Sequence, residues 1–125
     1  EYAQPPAFIG PEPEHGWCYY LTKADLAAQQ GDWQVVTEIE TQAARMGLTP
    51  FVPAEWTVFI KGYAQIKQVG RALELSDQAV GMDTAIRPLL CEVWKNLSAG
   101  ITDAQIESVE AWQKAQNCPG QTNCP

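Results

Sequence analysis

Apolar residues recur in this chain at intervals of three and four, and this spacing constrains the fold more than any other feature. The clearest case lies between residues 86 and 97, where six apolar residues satisfy the spacing of one helical face. They are Ile86, Leu89, Leu90, Val93, Trp94 and Leu97. No stretch alternates apolar and polar residues with the period of two that half-buried strands show. The sequence therefore predicts an all-α fold.

Six helices are predicted in all. Glycine and proline indicate where the first three helices begin or end. Gly31 and Gly47 follow the first and second helices, and Pro53 suits the first turn of the third helix. Gly70 is expected to mark the break before the fourth helix, which carries Ala72, Leu75, Ala79 and Met82. The connections are short, so about six helices in three antiparallel hairpins are expected.

Caps are predicted at two helix starts. Asp32 can cap the second helix. Thr102 and Gln105 have the spacing of a capping box at the start of the sixth.

Most of the aromatic residues fall on the apolar faces of these helices. Trp33, Trp56, Trp94 and Trp112 are predicted to be core residues, and Met46 and Met82 lie on the same kind of face. Tyr19 falls off the face of its helix, so it is the candidate for an exposed ring.

Length and charge restrict the class of protein. A chain of 125 residues is expected to form one domain. Fifteen acidic and eight basic residues give a net charge of −7, which repels phosphate backbones, so nucleic-acid binding is not predicted. No apolar run approaches the roughly 18 residues needed to span a bilayer.

Composition changes along the chain indicate three regions. Residues 1–16 contain four prolines and read as a linker, residues 17–116 as a helical-repeat domain, and residues 117–125 as a cysteine-bearing tail. Because the chain begins at Glu1 rather than at methionine, it is expected to be part of a longer protein.

The four cysteines favour disulfides. Cys118 and Cys124 enclose a turn-rich stretch and are expected to pair, which leaves Cys18 to pair with Cys91. Two such bridges indicate an oxidising compartment. The alternative is four free thiols in a cytosolic protein. The spacings match no metal or redox motif, and His15 is the only histidine, so no metal is predicted.

Catalytic constellations are hard to find. No nucleophile, zinc or phosphate-loop motif is present. Two carboxylate pairs occur, Glu38 with Glu40 and Glu107 with Glu110, and both are interpreted as solvated residues. The chain is therefore predicted to be non-catalytic, without a cofactor.

An internal repeat with an offset of 36 residues is visible. It superposes Tyr20 on Trp56, Ala27 on Tyr63, Val36 on Ala72 and Ala43 on Ala79. Over about residues 17–88 the chain resembles the tetratricopeptide repeat. The resemblance implies a right-handed stack of helix hairpins, in which a third hairpin could cap the stack or cover its inner face.

In that family, peptides bind the inner face of the first helix of each hairpin. Carried over to this sequence, the implied partner-binding face consists of Leu21, Asp25, Gln29, Thr57, Lys61 and Gln65. The same face could equally be a solvated surface without a ligand.

A second resemblance involves residues 17–33 (WCYYLTKADLAAQQGDW) and residues 85–94 (AIRPLLCEVW). These segments look like the soluble C-terminal tail of bacterial glycosyltransferase-like membrane proteins. That resemblance implies an extracytoplasmic location, periplasmic or at the cell surface, with the chain tethered to a membrane-embedded parent.

Two hypotheses of function follow. The first is a protein-interaction or tethering module that binds a protein or peptide. The second is a carbohydrate-binding accessory module, in which Tyr19 would contact a glycan.

Overall fold

The computed structural model describes residues 16–119, and within them the chain is all-helical, as predicted. Six α-helices follow one another: α1 (Trp17–Gln29), α2 (Trp33–Arg45), α3 (Thr57–Gln65), α4 (Val69–Met82), α5 (Arg87–Leu97) and α6 (Asp103–Ala115). Short 3₁₀ turns precede α3 and α5 and follow α5. None of the helices in residues 16–119 has the length and apolar character needed to cross a membrane.

The two predicted flanking regions are described only in part. Of the linker at residues 1–16 only Gly16 is described, and of the tail at residues 117–125 only residues 117–119. His15 and Cys124 therefore lie outside the described residues.

A single cluster of buried apolar side chains, drawn from all six helices, forms the core. Three of the four tryptophans predicted for it, Trp56, Trp94 and Trp112, are buried. Burial of a large apolar side chain stabilises a fold by about 1.5–3 kcal/mol. The largest fully buried apolar side chains are Trp94, Phe59, Ile60, Leu75, Leu90, Val36, Val69 and Val109.

Residues 36 positions apart make equivalent contacts in the first pair of helices (α1 and α2) and the second pair (α3 and α4). The Tyr20 hydroxyl donates to the sulfur of Met46 at 3.1 Å, and Trp56 Nε1 donates to the sulfur of Met82 at 3.2 Å. Each donor lies at the start of its pair and each acceptor at the end, so in each pair the start of the first helix contacts the end of the second. The right-handed stack and the tetratricopeptide resemblance stay predictions.

The assignment of Met46 and Met82 to the core is wrong. Both side chains are exposed, by 43% and 44%. Met82 is the last residue of α4 and Met46 directly follows α2, so one side of each side chain faces solvent beyond the packed helix.

The turns within the two pairs are also equivalent. Gly31 has φ of +74°, and Lys67, 36 residues later, has φ of +72°. Only glycine adopts this left-handed conformation without steric cost. The prediction that Gly70 marks the break is wrong, because Gly70 lies inside α4 and the turn is made by Lys67 instead.

The predicted capping box of α6 is absent. Thr102 is the residue before α6, but its side chain makes no capping hydrogen bond. The Gln105 amide instead donates to the carbonyl of Lys67 at 3.1 Å, and Lys67 Nζ donates to the carbonyl of Gly100 at 3.1 Å. These two bonds join the start of α6 to the turn between α3 and α4.

A buried carboxylate joins the second pair to the first. Glu40 of α2 is 4% exposed and accepts a hydrogen bond from the Tyr63 hydroxyl of α3 at 2.5 Å. Arg71 of α4 reaches the same carboxylate at 3.3 Å, and its other nitrogen contacts Glu74 at 3.0 Å. Interpreting Glu40 as a solvated residue was therefore wrong, because its helix face is covered by α3 and α4.

The next contact between pairs follows the same scheme. Ser76 and Asp77 of α4 follow Glu40 and Thr41 of α2 by 36 residues, so they occupy the equivalent positions in the second pair. Ser76 accepts a hydrogen bond from Trp94 of α5 at 2.9 Å, and Asp77 accepts one from Trp112 of α6 at 2.8 Å. Glu40 on α2 and the equivalent Ser76 on α4 thus both accept hydrogen bonds from the helices that follow.

Close backbone packing reinforces the contact between α2 and α3 at Glu40. A Cβ atom on Gly62 of α3 would lie 2.7 Å from Cγ1 of Val36 on α2. Only glycine therefore lets α3 approach α2 this closely.

Both predicted disulfide pairings are wrong. Cys91 is bonded to Cys118, with Cα atoms 5.4 Å apart, and Cys18 is a free, exposed thiol. Cys91 of α5 is buried, and the chain that follows α6 brings Cys118 next to it. Cys18 is exposed, although its neighbours Trp17 and Tyr20 are buried. The bridge ties the end of the last helix back to α5.

The turns allow a matched test of backbone strain. We expect Gly31→Ala to lower the free energy of unfolding by about 1–2 kcal/mol, since a Cβ there meets no atom and only the left-handed φ is penalised. Lys67→Gly relieves the same strain but removes the exposed hydrogen bond from Lys67 Nζ to Gly100, so it should change the free energy of unfolding by less than Gly31→Ala does. Gly70→Ala, inside α4 with open space around it, is the control and should be stabilising. Urea denaturation measures all three, and a loss in Lys67→Gly as large as that in Gly31→Ala would contradict this account of the turn.

Burial, followed by the hydrogen bond to Glu40, raises the pKa of Tyr63 above its ordinary value of 10.0. An unfolded tyrosine loses its proton at the ordinary value, while folded Tyr63 keeps it. The protonated Tyr63 side chain therefore stabilises the folded state fully below about pH 10, and this stabilisation is lost as the pH rises towards the folded pKa.

We expect Tyr63→Phe to remove part of the decline in unfolding free energy above about pH 10, as measured by urea denaturation across that range. Tyr19→Phe, at an exposed ring, is the control and should retain the decline. Identical alkaline profiles for Tyr63→Phe and the parent protein would contradict a protonated, buried Tyr63.

The disulfide assignment is testable by substitution. Cys91→Ser and Cys118→Ser should each lower the free energy of unfolding of the oxidised protein by about 3–4 kcal/mol, from the loop entropy of a bridge spanning 27 residues. Cys18→Ser should leave it unchanged. Thermal denaturation without reductant measures this, and a peptide map that links Cys18 to Cys91 would refute the assignment.

Candidate functional site

An open groove of about 600 Å³ lies between α1 and α3, with the start of α2 at one end. We call it the α1–α3 groove. Its lining combines residues one helical turn apart on α1, the first residue of α2, and the turn and first residues of α3. The lining residues are Leu21, Asp25, Ala28, Gln29, Trp33, Ala54, Glu55, Thr57, Val58 and Lys61.

The groove brings together five of the six residues of the predicted partner-binding face. Leu21, Asp25 and Gln29 lie on the α1 wall, and Thr57 and Lys61 on the α3 wall. The sixth, Gln65, is the last residue of α3; it is exposed and does not line the groove. No residue of α5 or α6 is part of the lining, so the last two helices leave this face uncovered.

Contacts at the start of α1 hold the two walls in place. Trp17 Nε1 donates to Glu55 Oε1 at 2.9 Å, and the Trp17 ring contacts that of Phe59 at a centroid distance of 5.6 Å. The same Glu55 oxygen accepts the backbone N–H of Phe51 at 2.8 Å. Glu55 thus fixes the turn before α3 against α1, and its carboxylate is committed to structure although it borders the groove.

The floor of the groove is apolar and only partly covered. Leu21, Ala28, Trp33 and Val58 pack against the core and keep part of their surface exposed. Partly exposed apolar side chains in a concave site can cover an apolar group of a ligand.

Three polar side chains of the groove form no ion pair or hydrogen bond within the described residues. Asp25 and Lys61 are exposed and form no ion pair within residues 16–119. The Thr57 hydroxyl oxygen is buried and has no hydrogen-bond partner within residues 16–119. A buried hydroxyl left unpaired costs about 1–3 kcal/mol, so rotation of the Thr57 side chain towards an occupant of the groove that can bond to it is favourable.

Sequence reasoning missed five of the ten lining residues, which are Ala28, Trp33, Ala54, Glu55 and Val58. Trp33 was assigned to the core, but it is half-buried and lines the groove, because it stands at the first residue of α2 where the first helix no longer covers it. Val58 carried no signal in the apolar spacing. The position of Trp33 directly after the Gly31 turn could have indicated an indole at the edge of the core.

The candidate exposed ring lies elsewhere. Tyr19 is 39% exposed and does not line the groove. Its ring makes an edge contact with that of Tyr20 at 5.1 Å, and Lys23 Nζ lies 5.2 Å from its centroid.

Among the described residues no group of three or more histidine, cysteine or acidic side chains is placed to hold a metal ion. The sequence matches no family model, and no curated protein or solved structure is significantly similar to the chain.

Proposed function

We propose that this chain is a non-catalytic protein-interaction module that binds an extended peptide segment of a partner in the α1–α3 groove. The observation that carries the proposal is the buried, unpartnered Thr57 hydroxyl of an open groove in which Asp25 and Lys61 form no ion pair within residues 16–119. A peptide backbone offers both a donor and an acceptor for such a hydroxyl.

The groove also suggests what such a peptide carries. An apolar side chain would cover Leu21, Trp33 and Val58, and a charged residue on either side would meet Asp25 or Lys61. The groove would then recognise the side chains of a short peptide segment rather than the folded surface of the partner.

We further propose that the module acts outside the cytoplasm as the extracytoplasmic part of a larger bacterial membrane protein. The Cys91–Cys118 bridge supports the location, since disulfides persist in oxidising compartments. The link to a membrane-embedded parent rests on the resemblance of residues 17–33 and 85–94 to glycosyltransferase-like proteins.

A carbohydrate-binding accessory module is the second candidate. It is favoured by the half-buried indole of Trp33 in the groove and by the exposed ring of Tyr19, since aromatic faces stack on sugar rings. Quenching of tryptophan fluorescence by glycans, lost in Trp33→Ala or Tyr19→Ala, would favour it over peptide binding.

Selection from a library of random-sequence peptides on the immobilised, oxidised protein tests the peptide proposal. We expect selected peptides to bind with an affinity that Thr57→Val weakens by about tenfold, through loss of one hydrogen bond. The free energy of unfolding should not fall, because the hydroxyl has no partner in the free protein.

Reversing the charge of one wall with Asp25→Lys should change which peptides are selected. Gln65→Ala is the matched control, because Gln65 lies on the predicted face but outside the groove. Peptides that bind Thr57→Val and Asp25→Lys as tightly as the parent protein, or a library that yields no binders, would contradict the proposal.

A further inference from the structure

A second cavity, of about 660 Å³, lies beside the disulfide at the other end of the described chain. We call it the C-terminal cavity. It is formed by α5 and the turn before it on one side, and by residues 116–119 on the other, and it shares no residue with the α1–α3 groove. Its lining residues are Thr84, Ala85, Arg87, Pro88, Cys91, Glu92, Lys95, Gln116, Asn117 and Pro119.

The charge of this cavity is opposite to that of the chain. Arg87 and Lys95 are exposed on one face of α5, two turns apart, and neither side chain forms an ion pair or hydrogen bond within residues 16–119. Glu92 is the only acidic residue of the lining, so the cavity carries a net charge of +1 while the whole chain carries −7. Two unpaired cations in a concave site attract an anion.

One residue of the lining carries a buried, unsatisfied polar atom. The side-chain oxygen of Gln116 is inaccessible to solvent and has no hydrogen-bond partner within residues 16–119. An amide oxygen accepts hydrogen bonds but cannot donate them. A ligand that satisfies it must therefore carry an N–H or O–H group, and the Gln116 side chain must rotate to bring the oxygen to that donor.

The remaining walls are largely apolar. Ala85, Pro88 and Pro119 line the cavity together with the half-cystine at Cys91. These surfaces cover an apolar group and offer few hydrogen bonds.

From these three observations we propose that the C-terminal cavity binds the C-terminal residue of a peptide, which carries a free carboxylate. A terminal residue combines a carboxylate for Arg87 and Lys95, an adjacent amide N–H for Gln116, and a side chain for the apolar walls. This proposal is independent of peptide binding in the α1–α3 groove, and the failure of one proposal would leave the other standing.

Titration of the full oxidised chain with N-acetylleucine, followed by ¹H–¹⁵N NMR, tests the proposal. N-acetylleucine carries the carboxylate, the amide N–H and the apolar side chain. N-acetylleucinamide keeps the acetylated N–H and the side chain but replaces the carboxylate with a neutral primary amide. We expect saturable shifts of the Gln116 side-chain signals and of α5 with the acid, weakened about tenfold or more with the amide.

Variants separate this binding from general attraction of anions. Arg87→Gln and Lys95→Gln should each weaken binding several-fold, and Gln116→Leu should weaken it without lowering the melting temperature. Lys61→Gln, a cation in the α1–α3 groove, is the control and should leave binding unchanged.

Three results would overturn the proposal: equal shifts with acid and amide, shifts that survive all three cavity variants, or no saturable binding. Tighter binding of glucuronic acid than of N-acetylleucine would also overturn it, and would assign the cavity to an acidic sugar.

Discussion

The carboxylate of Glu40 is buried where the second pair of helices meets the first, and the placement of α3 and α4 depends on it. Removing an ionised carboxylate from water is costly unless its oxygens are bonded, and here Tyr63 and Arg71 supply the donors from both helices of the next pair. Another register of α3 and α4 on α2 would separate these donors from the carboxylate. Arg71 is 36% exposed, so solvent screens its ion pair with Glu40, and losing the Tyr63 hydrogen bond to the buried carboxylate costs about 1.5–3 kcal/mol.

The placement of α3 has a direct consequence for the candidate site. One wall of the α1–α3 groove is α3, which is held by Tyr63 and Gly62 against α2 and by Glu55 against α1. The groove is therefore a product of the same contacts that stack the helix pairs. Further along the chain Ser76 and Asp77 take the place of Glu40 as acceptors, and the Cys91–Cys118 bridge adds a covalent tie for the last two helices.

Much of the fold could be predicted from the sequence, because helices and their buried faces follow from the spacing of apolar residues. Contacts that depend on tertiary packing could not. Glu40 looked solvated because spacing along one helix does not show what covers it. The disulfide was missed because the cysteines nearest in sequence were paired, whereas bridging depends on which Cβ atoms meet in space. The predicted face came from the resemblance, and the structure brings five of its six residues together, but the half-buried Trp33 was not separable from core tryptophans by pattern alone.

The central claim is that Glu40 and Tyr63 act together to set the register between the first two pairs of helices. A double-mutant cycle with Glu40→Gln, Tyr63→Phe and the double variant, measured by urea denaturation at neutral pH, tests it most directly. The account predicts a coupling energy of about 1–3 kcal/mol between the two residues. Effects that add to within about 0.5 kcal/mol would contradict it, since independent residues behave in that way.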